Sequence, residues 1–242
     1  MSYDLTKFKH GLEELHITLT DHQIEQFLQY YEMLVEKNKV MNLTGITEYE
    51  EVIQKHFLDS LSLIRVIPDL AEQDLKIIDL GTGAGFPGLP LKIAFPNLEI
   101  TLMDSLNKRI NFLNEVIESL GLQKVTAVHG RAEEMAANAK HRQQYDLCVS
   151  RAVSNLAVLT EYCLPFVTKG GSFVSYKSAD SDAEIQEGKK AISILGGKLV
   201  KVDKFKLPDS DLGRALVCIK KVKDTPKKYP RKAGTPAKLP LK

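Results

Sequence analysis

The sequence lacks the features that mark several classes of protein. It has no tryptophan, only three cysteines, and no apolar run near the ~20 residues that a membrane helix requires. The cysteines, Cys148, Cys163 and Cys218, form no Cys-x-x-Cys pair, and the histidines form no His-x-x-x-His pair. The first residues contain no apolar signal core. We therefore expect a cytoplasmic protein with no membrane segment, no disulfide framework and no bound metal.

The small net charge of +2 conceals an uneven distribution. Residues 220–242 contain nine Lys or Arg and one Asp, so this stretch carries +8 and the rest of the chain −6. Its four prolines, at positions 226, 230, 236 and 240, predict neither a regular helix nor a central strand there. A basic tail on an acidic body indicates either a polyanionic partner or a solvated, disordered end.

The first 66 residues have the periodicity of helices. Thr20–Gln23 has the form of a capping box with Thr20 as N-cap, and apolar residues then follow at helical spacing. Thr47–Glu50 predicts a second capping box, which would open a helix that continues through Leu61. We expect these helices to form a layer that packs on a sheet domain.

From residue 75 onward, short β-rich runs alternate with helical stretches, which is typical of a parallel sheet with helices on both faces. The predicted strands are Leu75–Leu80, Glu99–Met103, Lys124–Val128, Tyr145–Val149 and Ser172–Tyr176, and the helices include Asn107–Leu120, Asn155–Phe166 and Ala183–Leu195. Two later runs, Lys198–Phe205 and Ala215–Val222, predict an antiparallel hairpin at the sheet edge. The fold class is therefore α/β and Rossmann-like. We expect a helical extension at 1–66, the sheet domain at 67–222 and a basic tail at 223–242.

The strongest functional signal is a glycine-rich turn between a buried strand and a helix. Glycines let the backbone approach a ligand closely, and the helix N-terminus offers free N–H groups. Asp79-x-Gly81-x-Gly83-x-Gly85 is the pattern of Rossmann-like methyltransferases that bind S-adenosylmethionine, but Gly83-x-Gly85-x-x-Gly88 also matches the dinucleotide fingerprint. Asp104 ends the next strand, where an acid binds ribose hydroxyls in either fold. The turn alone leaves both cofactors open.

Other features favour the methyl donor. The terminal hairpin resembles the edge of class I methyltransferases, and the Tyr-x-x-x-Lys motif of a dehydrogenase occurs only at Tyr3–Lys7, far from the glycine turn. The fourth strand is followed by Ser150-Arg151-Ala152-Val153, without the Asn/Asp-Pro-Pro-Tyr/Phe motif of enzymes that methylate exocyclic amines. A ring nitrogen such as guanine N7 needs alignment but no general base, and the segment is consistent with that acceptor.

Six short stretches occur together along the chain: Asn42–Thr44, His56–Leu61, Asp79–Pro90, Gly130–Glu134, Ser150–Ala152 and Pro230–Pro236. With them the chain closely resembles, over essentially its whole length, the ribosomal RNA small-subunit methyltransferase G family, also called glucose-inhibited division protein B. One departure is Leu239, where many relatives carry Asn. The resemblance implies methyl transfer from S-adenosylmethionine to N7 of one guanine in the decoding-region stem-loop of 16S ribosomal RNA. The substrate would be the RNA or the small ribosomal subunit, and we expect a monomer.

The resemblance also implies site residues. The family's cofactor contacts fall on Gly81, Phe86, Ala132, Glu133 and Arg151; the glycine turn adds Asp79, Gly83 and Gly85, and strand position adds Asp104. Phe86 is equally well explained as a core residue, and Glu133 as a helix N-terminal charge. We assign Arg151 to alignment at the reactive end, where it would bind the methionine carboxylate, the guanine or a phosphate. It is not a base, because a guanidinium group stays protonated in proteins. A structural ion pair is its alternative role.

The predicted RNA contacts are mostly in the tail. Its basic side chains would neutralise phosphates and make the affinity depend on salt. The full set is Lys177, Lys227, Lys228, Arg231, Lys232 and Lys238, together with His56. Asn42 and Asp59 match family positions without a role that the residues themselves indicate. Two other functions stay open: a nicotinamide-dependent oxidoreductase and a non-catalytic RNA-binding relative.

Overall fold

Seven strands form one sheet in the structure, a computed structural model that describes residues 3–151 and 154–241. They are β1 (Lys76–Leu80), β2 (Glu99–Asp104), β3 (Val125–His129), β4 (Tyr145–Ser150), β5 (Val167–Ser178), β6 (Gly197–Lys206) and β7 (Gly213–Lys221). Every predicted strand is present, with bounds shifted by a few residues. The largest shift is at β5, which begins five residues before the predicted strand.

The strand order is β3-β2-β1-β4-β5-β7-β6. The first five strands are parallel, and β7 pairs antiparallel with both β5 and β6. Successive strands run outward from β1 on one side and then continue from β4 on the other. This reversal opens a crevice at the carboxyl ends of β1 and β4, where ligands of α/β sheets bind.

The helices cover both faces of the sheet. Ile77 and Ile78 are adjacent and both fully buried, yet they belong to two different apolar cores, because side chains alternate along a strand. One core contains the N-terminal helices with α5 and α6, and the other contains α8 and α9. The longer helices are α1 (Thr6–Glu14), α2 (Asp21–Met41), α5 (Gly88–Ala94), α6 (Asn107–Ser119), α8 (Leu156–Cys163) and α9 (Asp182–Ile194). These features confirm the predicted Rossmann-like class.

The N-terminal layer begins as predicted. Thr20 caps α2 through a complete capping box with Gln23. The second predicted capping box is wrong: the next helix, α3 (Tyr49–Val52), has Glu48 as its N-cap and no side-chain cap bond. The Thr47 carbonyl instead accepts the hydroxyl of Tyr31 on α2 at 3.1 Å.

The predicted helix through Leu61 is present but irregular. After α3 it continues as a π-helical segment, Ile53–Leu58, then as α4 (Asp59–Leu61) and a 3-10 turn, Ser62–Arg65. A π-helix changes which side chains share a face, and such segments are frequent at functional sites. This one carries His56 to the crevice.

The C-terminal segment contains a short helix where none was predicted, α10 (Thr235–Lys238). Pro236 lies in its first turn, where the missing N–H has no helical partner to lose. None of the helices in the described parts of the chain combines the length and apolar composition that a membrane crossing requires. The division of the chain into three parts at 66/67 and 222/223 stays a prediction.

Candidate active site

The glycine turn after β1 is shaped by Asp79. Its Oδ2 accepts the hydroxyl of Thr82 at 2.6 Å and the backbone N–H of Gly88 at 2.8 Å. A side chain at Gly88 would place Cβ 2.2 Å from Leu102 Cδ2, so the helix can approach the sheet only with glycine there. Gly83, at φ +63°, has nothing within 4 Å of where Cβ would be. The turn therefore presents open backbone to the crevice.

Asp79 is fully buried beneath this turn. Its Oδ1 has no hydrogen-bond partner among the described residues. Burial raises the pKa of Asp79 to about 7, against the bonds from Thr82 and Gly88 that lower it.

A cavity of about 730 Å³ opens at the carboxyl ends of the strands. Its wall contains residues from the glycine turn, from the ends of β2 and β3, and from the segment that connects α2 to α3. The cavity residues predicted from sequence are Gly81, Gly83, Phe86, Asp104, Ala132, Glu133 and Arg151. The fold thus brings seven of the nine predicted cofactor residues to one site. Asp79 supports the turn from behind, and Gly85 does not line the cavity, because a Cβ there would lie 2.4 Å from Leu89 Cδ1.

Asp104, at the end of β2, is buried in the cavity wall. Its Oδ2 accepts the N–H of Gly83 at 3.0 Å and Arg109 Nη1 at 3.1 Å, and its Oδ1 accepts the N–H of Leu106 at 2.9 Å. A carboxylate oxygen has room for two hydrogen bonds. Oδ1 can therefore accept one more, such as a hydroxyl from a ligand.

Glu133 faces the C-terminal segment. Its Oε1 accepts the N–H of Gly234 at 2.9 Å, and Gly234 itself lines the cavity. Tyr162 on α8 lies against the same carboxylate. Burial, with Glu133 and Glu161 nearby, raises the pKa of the Tyr162 hydroxyl. The carboxylate of Glu133 thus joins α8 and the C-terminal segment at one wall of the cavity.

Arg151 follows β4 and is held by three acceptors on the N-terminal layer. Nη1 donates to Lys55 O at 2.9 Å and to Asp59 Oδ2 at 3.0 Å, and Nη2 donates to His56 Nδ1 at 3.0 Å. Its guanidinium carbon lies 5.0 Å from the centre of the Phe86 ring. The ion pair weighed from the sequence is therefore present, but the guanidinium also remains part of the cavity wall.

His56 is neutral in the fold. Burial is the main cause that lowers its pKa, to about 3, and the positive charge of Arg151 adds to it. Because Nδ1 accepts from Arg151, the proton is on Nε2, which lies 2.9 Å from Thr44 Oγ1. The ring stacks on Phe86 with centroids 4.4 Å apart. This arrangement contradicts the predicted phosphate contact of His56, because a buried, neutral imidazole with both nitrogens bonded has nothing to offer an anion.

A second cavity, of about 810 Å³, lies beside the first. Both include His56, Arg151 and Ser154 in their walls. The second is otherwise lined mainly by residues from the N-terminal layer, the end of β5, α9 and the start of β7. They include Asp59, Tyr176, Lys177, Ser178, Glu184 and Arg214.

Comparison with known proteins identifies the family to which this chain is similar. The model of the family "rRNA small subunit methyltransferase G" (GidB) matches residues 23–213. A protein named ribosomal RNA small subunit methyltransferase G from Lachnoclostridium phytofermentans is 57% identical over 238 residues, which cover 98% of each chain. Its counterpart from Alkaliphilus metalliredigens is 53% identical, with 97% of each chain covered. The chain belongs to the methyltransferase G family.

Solved structures agree on the fold. The crystal structure of TrmN from Thermus thermophilus is similar with a TM-score of 0.51 at 14% identity, covering 70% of this chain and 53% of that one. The crystal structure of M. jannaschii TYW2 in complex with AdoMet has a TM-score of 0.51 at 12% identity, covering 66% of this chain and 74% of that one. At such low identity these likenesses concern the fold only.

Two predicted RNA contacts of this methyltransferase are engaged elsewhere. The Lys177 ammonium lies 2.6 Å from Glu184 Oε1, and its side chain is only 9% exposed. Arg231 donates through Nε and Nη2 to Glu161, a carboxylate with no exposed surface. Both are corrections: Arg231 compensates the buried carboxylate of Glu161, and the nearly buried ammonium of Lys177 is itself paired with Glu184. The other four, Lys227, Lys228, Lys232 and Lys238, are exposed, and their contact with RNA stays a prediction.

Other residues of the site were missed from the sequence. Thr44, Arg109, Tyr162 and Arg214 all line one of the cavities. Of these, only Thr44 lies in a family motif. Tyr162 and Arg214 carry no local signal because their partners, Glu133 and Asp59, are distant in the chain, and Arg109 lies in no motif although its partner Asp104 is only five residues away. Asn42, whose role was open, ends α2 in the left-handed conformation at φ 48°. Asn tolerates that conformation well, so its role here is to turn the chain towards Leu43 and Thr44 at the cavity.

Proposed function

We propose that this methyltransferase transfers a methyl group from S-adenosylmethionine to N7 of one guanine in 16S ribosomal RNA. Family membership supports the reaction class and the RNA substrate. The observation that carries the choice of N7 is the junction of the two cavities. There the titratable groups are Arg151 and His56, and neither can act as a base.

The first cavity suits S-adenosylmethionine. Its size is within the usual range for sites of small ligands and cofactors, about 300–1,000 Å³. The open backbone at Gly81 and Gly83 would take the methionine part, Asp104 the ribose hydroxyls, and the segment at Ala132 and Glu133 the adenine. When bound, the donor supplies a methyl group made electrophilic by a sulfonium. Seven of the nine predicted cofactor residues line this cavity, which supports the assignment.

The chain's own contribution would be alignment. His56 donates through Nε2 to Thr44 and accepts at Nδ1 from Arg151, so neither nitrogen is free to remove a proton. An exocyclic amine or a hydroxyl acceptor must lose a proton, whereas guanine N7 attacks with a lone pair and loses none. Arg151, fixed by Asp59, Lys55 and His56, would therefore orient the reactants without acid–base chemistry.

The test uses methyl-labelled S-adenosylmethionine with small-subunit RNA, or with small subunits, from cells that lack this activity. Label recovered in 7-methylguanosine at one site is the expected result. Label in another nucleoside would overturn the choice of N7, and absence of label from both RNA and particles would overturn the proposal. Testing RNA and particles side by side also decides which of them is the substrate.

The nicotinamide-dependent oxidoreductase is not favoured by the family. Titration of S-adenosylmethionine against NAD tests it directly, and we expect binding of the first without competition by the second.

A non-catalytic relative is tested by Arg151→Ala, which we expect to reduce methylation at least about 100-fold, as loss of a positioning group can. Full methylation by this variant would remove Arg151 from the mechanism. The proposal includes a monomeric protein in the cytoplasm. The mass of the protein in solution measures the oligomeric state.

A further inference from the structure

The second cavity, of about 810 Å³, has no ligand assigned to it so far. It shares His56, Arg151 and Ser154 with the first cavity, so ligands in the two would meet at these residues. Its floor is Tyr176, a buried ring whose hydroxyl donates to Ser60 O at 2.8 Å. Lys177, Ser178 and Glu184 line the second cavity and not the first, so they form a part of its wall beyond the shared residues. An acceptor base requires a cavity of this kind beside the position of the methyl donor.

The geometry of attack fixes how a guanine would lie there. The N7 lone pair is in the plane of the ring, so the edge that carries N7 must face the first cavity. The opposite edge, with N1–H and the 2-amino group, then faces the far side of the second cavity. A base reaches such a pocket only when it is unstacked from its RNA neighbours. Two N–H donors at that edge require an acceptor, and a carboxylate is the best match.

Two carboxylates line the second cavity, and they differ in how many of their oxygens form ion pairs. Asp59 has an ion pair at each oxygen, Oδ2 with Arg151 at 3.0 Å and Oδ1 with Arg214 at 3.1 Å, and its side chain is only 5% exposed. Glu184 is held by one oxygen only, with Oε1 2.6 Å from Lys177 Nζ. Among the described residues, its Oε2 has no hydrogen bond or ion pair, and its side chain is 26% exposed. Glu184 is thus the carboxylate with an oxygen to spare.

We propose that the second cavity binds the target guanine and that Glu184 recognises its N1–H and 2-amino group, which selects guanine over other purines. The inference rests on the proposed function, since it names the group that reads the substrate of that reaction. Lys177 positions Glu184 and also donates to the Ser154 carbonyl. Lys177 thereby connects the recognition end of the cavity to the junction where methyl transfer would occur. This role replaces the phosphate contact that the sequence suggested for Lys177.

The experiment exchanges one functional group of the base. RNA is assembled by ligation with either guanosine or inosine at the methylated position; inosine keeps N7, O6 and N1–H but lacks the 2-amino group. Single-turnover methylation is measured with saturating S-adenosylmethionine. We expect the wild-type chain to methylate guanosine about 10-fold faster than inosine, since a good contact to a base edge gives discrimination of this order.

Glu184→Met should bring the guanosine-to-inosine ratio close to one, while Glu187→Met, the same exchange on the exposed face of α9, should keep the wild-type ratio. Because each ratio is taken within one protein, a variant that folds less well lowers both rates and leaves the ratio interpretable. Equal wild-type rates on the two RNAs, or a wild-type ratio in Glu184→Met, would overturn the assignment of Glu184.

A second variant tests the cavity itself. Ser178→Trp would fill the mouth of the second cavity, since Ser178 is exposed and lines only that cavity. We expect methylation to fall at least about 10-fold while the Kd for S-adenosylmethionine stays unchanged; Ser193→Trp on α9 is the matched control. Unchanged methylation by Ser178→Trp would exclude the second cavity as the base site. If the wild-type chain methylates no RNA at all, the proposed function fails first and takes this inference with it.

Discussion

Asp59 connects the N-terminal layer to the sheet domain through two ion pairs. One carboxylate, 5% exposed, pairs with Arg151 after β4 and with Arg214 on β7. Removing one member of a buried charge network leaves the others without compensation, which typically costs about 3–5 kcal/mol. We expect Asp59→Ala to lower the free energy of unfolding by that amount in urea titrations.

Asp211→Ala provides the comparison for Asp59. Asp211 also pairs with a cation, Lys206, but its side chain is 98% exposed. Solvent screens such a pair, so the variant should lose less than about 1 kcal/mol. Equal stability of Asp59→Ala and Asp211→Ala would contradict the buried-network interpretation.

His56 gives the site a pH dependence whose sign follows from its pKa. The folded pKa is about 3 and the ordinary value is 6.5, so between these values the unfolded chain binds a proton that the folded chain does not. The contribution of His56 is therefore present above pH 6.5 and decreases as the pH falls below it. For one group with this shift, the loss between pH 7 and pH 5 is about 2 kcal/mol.

The measurement compares the wild-type chain with His56→Asn. We expect the difference between their unfolding free energies to narrow by about 2 kcal/mol from pH 7 to pH 5. Asp79, whose raised pKa acts in the opposite direction, is present in both proteins and cancels. His22→Asn, on the exposed first turn of α2, is the control. Parallel pH curves for wild type and His56→Asn would show that His56 takes up a proton in the folded chain.

At the scale of elements, α2 is both capped and docked by one side chain. Gln23 accepts the N–H of Thr20 at 2.8 Å, and its Nε2 donates to the carbonyls of Ile93 and Ala94 at the end of α5. The capping box thus ties the helical layer to the helix that follows the glycine turn. A lost N-cap costs about 1 kcal/mol, and each lost bond to a buried carbonyl costs a similar amount.

We therefore expect Thr20→Ala to lose about 1 kcal/mol and Gln23→Ala about 2 kcal/mol of unfolding free energy. Ser193→Ala, an exposed serine inside α9, should change stability by less than about 0.5 kcal/mol. Urea titration of the three variants measures the order. If Gln23→Ala is no worse than Thr20→Ala, the bonds to α5 do not contribute to stability.

The two capping predictions show what a sequence can and cannot specify. Thr20–Gln23 formed as expected, because all the groups of a capping box lie within four residues. Thr47–Glu50 has the same pattern, but there the helix begins at Tyr49 with Glu48 as N-cap, and the Thr47 carbonyl bonds to Tyr31. The alternation of strands and helices was likewise readable, because it is a local pattern repeated many times.

The site was only partly readable for the same reason. The glycine turn and Asp104 follow from their positions after strands, so their place in the cavity wall could be predicted. Arg151 reaches partners 92 and 95 residues away, Asp59 and His56, and a π-helical segment determines how those two face it. Hydrophobic periodicity contains no information about such distant polar contacts.

At the scale of the whole molecule, the C-terminal segment is an attached strap with a basic outer side. Glu161 holds Arg231, Glu133 holds the Gly234 N–H, and Arg142 donates to the carbonyls of Thr225 and Tyr229. Composition alone allowed either a disordered tail or an RNA contact. The fold fixes the backbone near the first cavity and leaves the lysines at 227, 228, 232 and 238 exposed.

These lysines should make RNA affinity depend on salt in a countable way. Each neutralised phosphate releases counterions and contributes about 0.7–0.9 to the slope of log affinity against log salt. We expect Lys232→Ala and Lys238→Ala each to reduce the slope by about that amount and the double variant by about twice as much. Lys169→Ala should leave the slope unchanged, because Lys169 is exposed near the amino end of β5, whereas the cavities lie at the carboxyl ends of the parallel strands. Filter binding at several salt concentrations measures the slopes of the wild-type chain and the four variants. An unchanged slope in the double variant would mean that the strap serves the fold without touching the RNA.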